Sequence, residues 1–151
     1  MTETVTDVAP AIREAPGGGR IVLVAIESAD DGAVSRTSAE TLTLASRLAH
    51  AHGWQLEAVT AIDPTEVTLA GLRTQGVEGV HVLAHPHLDV DAAPSAVAEA
   101  IVQLATSVGA GVVMGPADGH SGEVFAHVAA RMDRPLVTHT TAAAPAAEGG
   151  W

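Results

Sequence analysis

The stretch Arg20-Ile21-Val22-Leu23-Val24-Ala25-Ile26, followed by Glu27-Ser28-Ala29-Asp30-Asp31-Gly32, decides the fold. Its apolar run has no polar alternation, which is typical of a strand covered on both faces, and such strands belong to parallel sheets between two layers of helices. Thr37 and Glu40 then stand in the S/T-x-x-E relation of a capping box. This relation predicts that an amphipathic helix begins at Ser38.

Strand and helix patterns alternate along the rest of the chain. Gly53 is predicted to end the first helix, and Asp63 to cap the second, with Pro64 at its first position and Glu66 closing the box. The predicted later strands span residues 55–61, 79–83, 111–115 and 135–138, and the predicted later helices span residues 64–76, 95–109 and 122–132.

This alternation predicts an α/β fold: a doubly wound, mainly parallel, five-stranded sheet with helices on both faces. The architecture is Rossmann-like and adenine-nucleotide-hydrolase-like. Residues 1–19 and 142–151 are rich in Gly, Pro, Ala or polar side chains, so we expect a disordered lead and a flexible tail around one domain at residues 20–141.

Composition excludes several classes of function. Seven Arg and no Lys against 18 acidic residues give a formal charge of −11, which would repel a nucleic-acid backbone. Without Lys there is neither a P-loop nor Schiff-base chemistry, and without Cys there is neither a disulfide nor a thiolate nucleophile. The start of the sequence has no signal-peptide pattern and no run reaches membrane-spanning length, so we expect a cytoplasmic protein without membrane insertion.

Several strings carry a family resemblance. Residues 32–42, Gly-Ala-Val-Ser-Arg-Thr-Ser-Ala-Glu-Thr-Leu, are followed at matching distances by Val90-Asp91-Ala92-Ala93, Gly111-Val112-Val113-Met114-Gly115 and Leu136-Val137-Thr138-His139-Thr140-Thr141. Together they resemble the N-terminal domain of the electron transfer flavoprotein alpha subunit, over about residues 20–141. Nothing in the sequence resembles that family's second domain, which carries the FAD site.

The resemblance implies a role in electron transfer rather than catalysis. In that family the domain supports a heterodimer with a beta-like subunit, electrons come from flavin-dependent dehydrogenases, and FAD is held by another domain or subunit. AMP is a possible ligand of the beta-like partner. The resemblance therefore implies a chain that is not itself an enzyme and does not bind FAD alone. The alternative is a small nucleotide-binding protein of universal-stress-like fold.

One glycine-rich turn is a candidate anion or nucleotide site. Gly115, Asp118, Gly119, Ser121 and Gly122 follow the fourth predicted strand and precede a helix, where backbone N–H groups and the helix dipole favour negative charge. The same pattern is also typical of a turn in which Ser121 merely caps the helix. We favour this second interpretation, because a lone glycine spacing is a weak signal.

Two further groups of residues invite a functional interpretation. His81, His85 and His87 could suggest a metal site, but their spacing lacks a Cys or a helical His pair, so we expect solvated or capping histidines and no metal. Ser35, Arg36 and Thr37 lie in the loop after the first strand, where α/β folds place ligands and partners. We expect them at a partner interface, with Arg36 as the main charge.

Overall fold

The computed structural model describes residues 20–85, 88 and 92–145, so the predicted lead and the last six residues lie outside it. The strands are β1 (Ile21–Ala25), β2 (Gln55–Thr60), β3 (Gly79–Val82) and β4 (Ala110–Met114). The helices are α1 (Arg36–His52), α2 (Glu66–Thr74), α3 (Pro94–Val108) and α4 (Gly119–Met132). In this described part of the chain, every helix is too short or too polar to cross a lipid bilayer.

The sheet confirms the predicted fold class. All pairings are parallel, and the strand order is β3-β2-β1-β4. β1 lies between β2 and β4, with Val22, Leu23 and Val24 fully enclosed. The chain therefore winds from β1 outward to β3, crosses back over β1 and adds β4 on the other side.

The two faces of β1 belong to two separate core clusters. Val22 and Val24 pack with α1 and with Leu72 of α2. Leu23 points to the other face and packs with α3 and α4, through side chains such as Leu104 and Val124. Successive strand residues point to opposite faces, so this division is what a strand without polar alternation requires.

The predicted fifth strand is wrong. Residues 135–138 form no strand with any other described residue, and the sheet ends at β4. Pro135 cannot donate a ladder hydrogen bond, and Leu136 and Val137 are 43% and 73% exposed. A short apolar run indicates a strand only when a neighbour pairs with it and a core covers it, and this run has neither within the described chain.

The predicted first residues of three helices are also wrong, because a nearby polar side chain caps each helix instead. Ser35 rather than Thr37 caps α1, so that helix begins at Arg36 and not at Ser38. Thr65 rather than Asp63 caps α2, in a box with Thr68. Asp118 rather than Ser121 caps α4. In contrast, Gly53 ends α1 in the left-handed conformation, as predicted.

Gly115 and Phe125 provide a test of the packing between β4 and α4. A Cβ atom at Gly115 would overlap the Phe125 ring, so Gly115→Ala should lower the free energy of unfolding by about 1–3 kcal/mol through overpacking. The matched control is Gly122→Ala in α4, where a Cβ meets no atom within 4 Å and should stabilise the helix by about 0.5–1 kcal/mol. Urea denaturation of both variants gives the comparison. Equal effects would contradict this packing.

Candidate site at the carboxyl edge of the sheet

The candidate site lies where β1 and β4 end side by side. The connection after β1 leads through α1 to β2 on one side, whereas β4 lies on the other side of β1 and continues into α4. Open α/β sheets have their ligand crevice at such a point, outside the carboxyl ends of the strands. The loops after β1 and β4 therefore form the walls of the crevice.

The loop after β1 is held in one conformation by local hydrogen bonds. Ser28 and Val34 form an isolated antiparallel bridge, and the Asp31 carboxylate accepts from the Ala33 N–H at 2.9 Å. The Gly32 carbonyl accepts from two hydroxyl groups at the start of α2, Thr65 at 3.0 Å and Thr68 at 2.6 Å. The loop is thus fastened to the neighbouring helix as well as to itself.

Ser38 joins the end of β1 to the start of α1. Its side chain is fully buried, and its hydroxyl oxygen accepts from the Glu27 N–H at 2.9 Å and from the Ser35 hydroxyl at 2.9 Å. The Ser35 hydroxyl oxygen in turn accepts from the Ser38 N–H at 3.2 Å. Serine hydroxyls here satisfy backbone groups that the strand and helix leave unpaired.

Two carboxylates and one hydroxyl meet between the two loops, Glu27 from the loop after β1 and Asp118 and Ser121 from the start of α4. The Asp118 carboxylate accepts from the Ser121 N–H at 2.8 Å. The Ser121 hydroxyl lies 3.3 Å from the second Asp118 oxygen and 3.4 Å from Glu27 Oε1. Because a hydroxyl has one hydrogen, it is shared between the two carboxylates.

This arrangement raises the pKa of Glu27 above its ordinary value of 4.5. The larger cause is partial burial, which removes water from the carboxylate, and the second is the negative charge of Asp118. The Ser121 hydrogen bond and His120 act in the opposite direction. The crevice is therefore a place where added negative charge is disfavoured.

The predicted anion residues lie together around the start of α4. Asp118 places its own carboxylate at the helix N-terminus, where an external anion would bind. Gly115 lies against the Phe125 ring, whereas a Cβ atom at Gly119 or Gly122 would meet no other atom within 4 Å. This geometry is that of a turn that caps a helix, which is the interpretation favoured from the sequence. The residue that caps the helix is Asp118, however, and not Ser121. An anion at these five residues stays a prediction.

The predicted partner residues have different roles. Ser35 is the cap of α1, and its hydroxyl lies 3.4 Å from that of Thr37. The Arg36 side chain is 90% exposed and pairs with Glu40 at 3.0 Å. It occupies the first position of a helix with no acidic residue in its first turn, where the dipole disfavours a cation. Of the three predicted partner residues, only Arg36 has an exposed side chain.

An apolar pair near the same edge was missed by the sequence analysis. Ile62 and Val67, which follow β2 and begin α2, are 54% and 57% exposed. Each has an exposed acidic residue next to it in the chain, Asp63 beside Ile62 and Glu66 beside Val67. The signal available in the sequence was weak, because Ile62 stands between Ala61 and Asp63, and Val67 between Glu66 and Thr68, with no further large apolar residue beside either.

The histidines form no metal site in the described residues. His81 was expected to be solvated or to cap a helix. It lies instead in β3, with its Nε2 atom 2.6 Å from the Glu57 carboxylate of β2. Both side chains are largely buried beside each other. His85 is exposed in the loop after β3, and His87 lies outside the described residues.

Comparisons with known proteins agree with this fold. The model of the electron transfer flavoprotein domain family matches residues 22–149. Comparison with curated protein sequences gives no significant match. Among solved structures, a universal stress protein in complex with cAMP is similar to the chain, with 25% sequence identity and a TM-score of 0.51. The similarity covers 81% of this chain and 98% of the other.

Glu27 gives the crevice a measurable pH dependence. Folding raises the pKa of the Glu27 carboxyl group, so the protonated group favours the folded state. This contribution to the free energy of unfolding is fully present below the ordinary pKa, and it is lost as pH rises through the pKa of the folded state. Glu27→Gln should therefore raise the melting temperature slightly at neutral pH, and the gain should vanish as pH falls to about 4.5. The effect is small because Glu27 is largely exposed and solvent screens it.

The role of the second carboxylate can be measured in the same series. In an Asp118→Asn background the gain from Glu27→Gln should shrink, since the neighbouring negative charge is gone. Melting curves of the four proteins between pH 4 and 8 provide the test. A gain that stays constant with pH would show that Glu27 titrates as it does in the unfolded chain.

Proposed function

This chain belongs to the electron transfer flavoprotein domain family, and from that membership we propose that it is an alpha-subunit-like, partner-binding component of a flavoprotein complex. In this proposal it supports electron transfer from dehydrogenases to an acceptor, while another domain or subunit holds the FAD. The complex is a heterodimer with a beta-like subunit and acts in the cytoplasm. The observation that carries the proposal is the family match over residues 22–149.

The polar groups of the crevice support a structural rather than catalytic role. Ser35 and Ser38 bind each other and the backbone, and Ser121 is shared between two carboxylates. A nucleophilic serine needs a base within hydrogen-bond reach and a third group that orients that base. Ser35 instead caps α1, Ser38 accepts from the Glu27 backbone, and Ser121 lies between two carboxylates with no third group that orients either of them as a base. We therefore infer that the chain itself performs no chemistry.

The composition supports placing FAD outside this chain. An isoalloxazine ring needs a slot lined by apolar or aromatic side chains, and its pyrophosphate needs positively charged or N–H donors. The sequence has three aromatic residues and no Lys. The Phe125 ring already lies against Gly115, and carboxylates stand at the start of α4.

The carboxyl edge is the surface that we propose for the partner. Its loop after β1 is pre-formed by the Gly32 contacts, so that binding would cost little ordering entropy. Arg36 extends into solvent at the first position of α1, where the helix dipole disfavours a positive charge. Residues that break such a local stability rule are often found at functional positions. Ile62 and Val67 add exposed apolar area, and the neighbouring Asp63 and Glu66 are exposed as well. A partner with aliphatic pockets, basic side chains opposite these carboxylates and an acidic side chain opposite Arg36 fits this surface.

The competing proposal is a small nucleotide-binding protein. It is supported by the likeness to a universal stress protein that binds cAMP. The crevice of this chain supports it less, because a phosphate would meet the Glu27 and Asp118 carboxylates instead of free N–H groups. In our proposal any AMP of the complex lies in the beta-like partner.

Flavin content gives the first test. The purified chain should be colourless after gel filtration, and addition of FAD should leave the flavin fluorescence of the mixture unchanged, because no slot for the ring is expected here. Fluorescence titration measures this, with an intact flavoprotein as the positive control. Stoichiometric flavin that remains bound through gel filtration would contradict the proposal that FAD is held outside this chain.

Partner binding gives the second test. Arg36→Ala and Val67→Asp should weaken the complex with a beta-like subunit, and loss of one desolvated contact of a charge pair typically costs about 2–5 kcal/mol of binding. Titration calorimetry against the co-expressed beta-like subunit measures the effect. Both residues are exposed, so the melting temperature of the chain should stay nearly unchanged.

Arg131→Ala is the matched control for Arg36→Ala. Arg131 also pairs with a glutamate, Glu99 at 3.4 Å, but it lies in the last turn of α4, toward the opposite edge of the sheet. The Arg131→Ala variant should bind the beta-like subunit as tightly as the wild type does. A complex weakened equally by Arg131→Ala, or no complex at all, would contradict the proposed surface.

A further inference from the structure

The loop after β1 rests on one side of α2, and small side chains make up that side. Thr65, Thr68 and Gly71 stand three residues apart, so they follow one another along the helix. A Cβ atom at Gly32 would lie 3.0 Å from the Thr65 hydroxyl oxygen, and a Cβ atom at Gly71 would lie 3.5 Å from a methyl group of Val34. The contact between loop and helix therefore continues along α2 beyond its cap.

Thr68 carries the shortest of the hydrogen bonds between the loop and the helix. It is 1% exposed, and its hydroxyl donates to the Gly32 carbonyl at 2.6 Å while accepting from the Thr65 N–H at 3.2 Å. The Thr65 hydroxyl also donates to the Gly32 carbonyl, at 3.0 Å, and accepts from the Thr68 N–H at 3.1 Å. The two hydroxyls together fill both acceptor positions of that carbonyl.

The hydrogen bonds to Gly32 go beyond what a helix cap requires. A capping box needs only the two exchanges between Thr65 and Thr68. The bonds to the Gly32 carbonyl are additional and span 33 and 36 residues of sequence. Gly32 has a φ of 80°, which favours glycine, and the close approach of Thr65 leaves no room for a side chain there. The threonine pair therefore holds the loop as well as starting the helix.

The two segments that Thr68 joins both belong to the surface proposed for the partner. Arg36 follows the loop on one side, and Ile62 and Val67 flank the cap of α2 on the other. Val67 is exposed whereas its neighbour Thr68 is buried, so α2 directs the first outward and the second toward the loop. A partner that covers both segments binds more tightly when their relative position is fixed beforehand, because less ordering is needed on binding.

We propose that Thr68 is a positioning residue of this partner surface: it holds the loop after β1 against α2, so that partner affinity depends on a side chain that the partner does not touch. The inference rests on the partner-binding function proposed above. The hydroxyl group is the part of Thr68 that matters. Without it, the Gly32 carbonyl keeps the Thr65 hydroxyl but loses its shorter bond, and the Thr65 N–H loses this acceptor.

Titration calorimetry of the full chain against the co-expressed beta-like subunit tests this role. Thr68→Val keeps the shape of the side chain but removes the hydroxyl, and it should raise the dissociation constant about tenfold. Thr68→Ser restores the hydroxyl and should restore nearly all of the affinity. The matched control is Thr43→Val, which removes a threonine hydroxyl that donates to the Ala39 carbonyl at 2.9 Å within α1. It should bind as the wild type does.

Hydrogen exchange of the isolated chain measures the loop without the partner. Amides of residues 29–35 should exchange faster in Thr68→Val than in the wild type, Thr68→Ser or Thr43→Val, at a temperature where all four are folded. Gly71→Ala is a probe of opposite sign, because its methyl group adds an ordinary contact with Val34 and removes a glycine from the helix. It should slow the same amides and bind the subunit at least as tightly as the wild type.

The outcomes separate this inference from the proposed function. A wild-type complex whose affinity Thr68→Val leaves unchanged overturns the positioning role alone. Equal weakening by Thr43→Val overturns it as well, because the loss would then follow general stability. Should Thr68→Val fail to fold, Gly71→Ala decides, and faster loop exchange or weaker binding in that variant overturns the inference. If the wild type forms no complex with the subunit, the partner-binding function fails and the positioning role fails with it.

Discussion

The burial of β1 on both faces is the constraint on which the structure depends. Val22, Leu23 and Val24 are fully enclosed, and covering each such side chain contributes about 1.5–3 kcal/mol. No single layer can cover both faces of one strand. Helices are therefore needed on both sides, which forces the chain to cross back over β1 and to bring the ends of β1 and β4 together. The position of the crevice follows from that crossing.

The apolar run and the alternating patterns were sufficient to predict the fold class, because hydrophobic period and burial are local properties of the sequence. The same local argument failed at residues 135–138, where pairing and cover decide whether a strand forms. It also failed at the helix starts, since Ser35, Thr37 and Ser38 all compete for one cap. Which hydroxyl caps a helix depends on backbone geometry that spacing does not encode.

The candidate site was predictable only in its location. Its loops could be placed at the carboxyl edge, but the contact between Glu27 and Ser121 joins residues 94 positions apart, and nothing in the glycine-rich turn that contains Ser121 points to Glu27. The paired Glu57 and His81 were missed for the same reason, because two neighbouring strands bring them together. Of these two contacts, only the one between Glu27 and Ser121 lies at the crevice, where it pairs the chain's own polar groups with each other.

We propose that this crevice does not bind nucleotides and that the domain serves as a scaffold for a partner. Titration calorimetry of the purified chain with AMP and with cAMP tests it most directly, since a universal stress protein of similar fold binds cAMP. The account predicts no binding heat for either ligand. Stoichiometric binding of either one, abolished by filling the crevice through Gly119→Trp, would contradict the account and favour a nucleotide-binding protein.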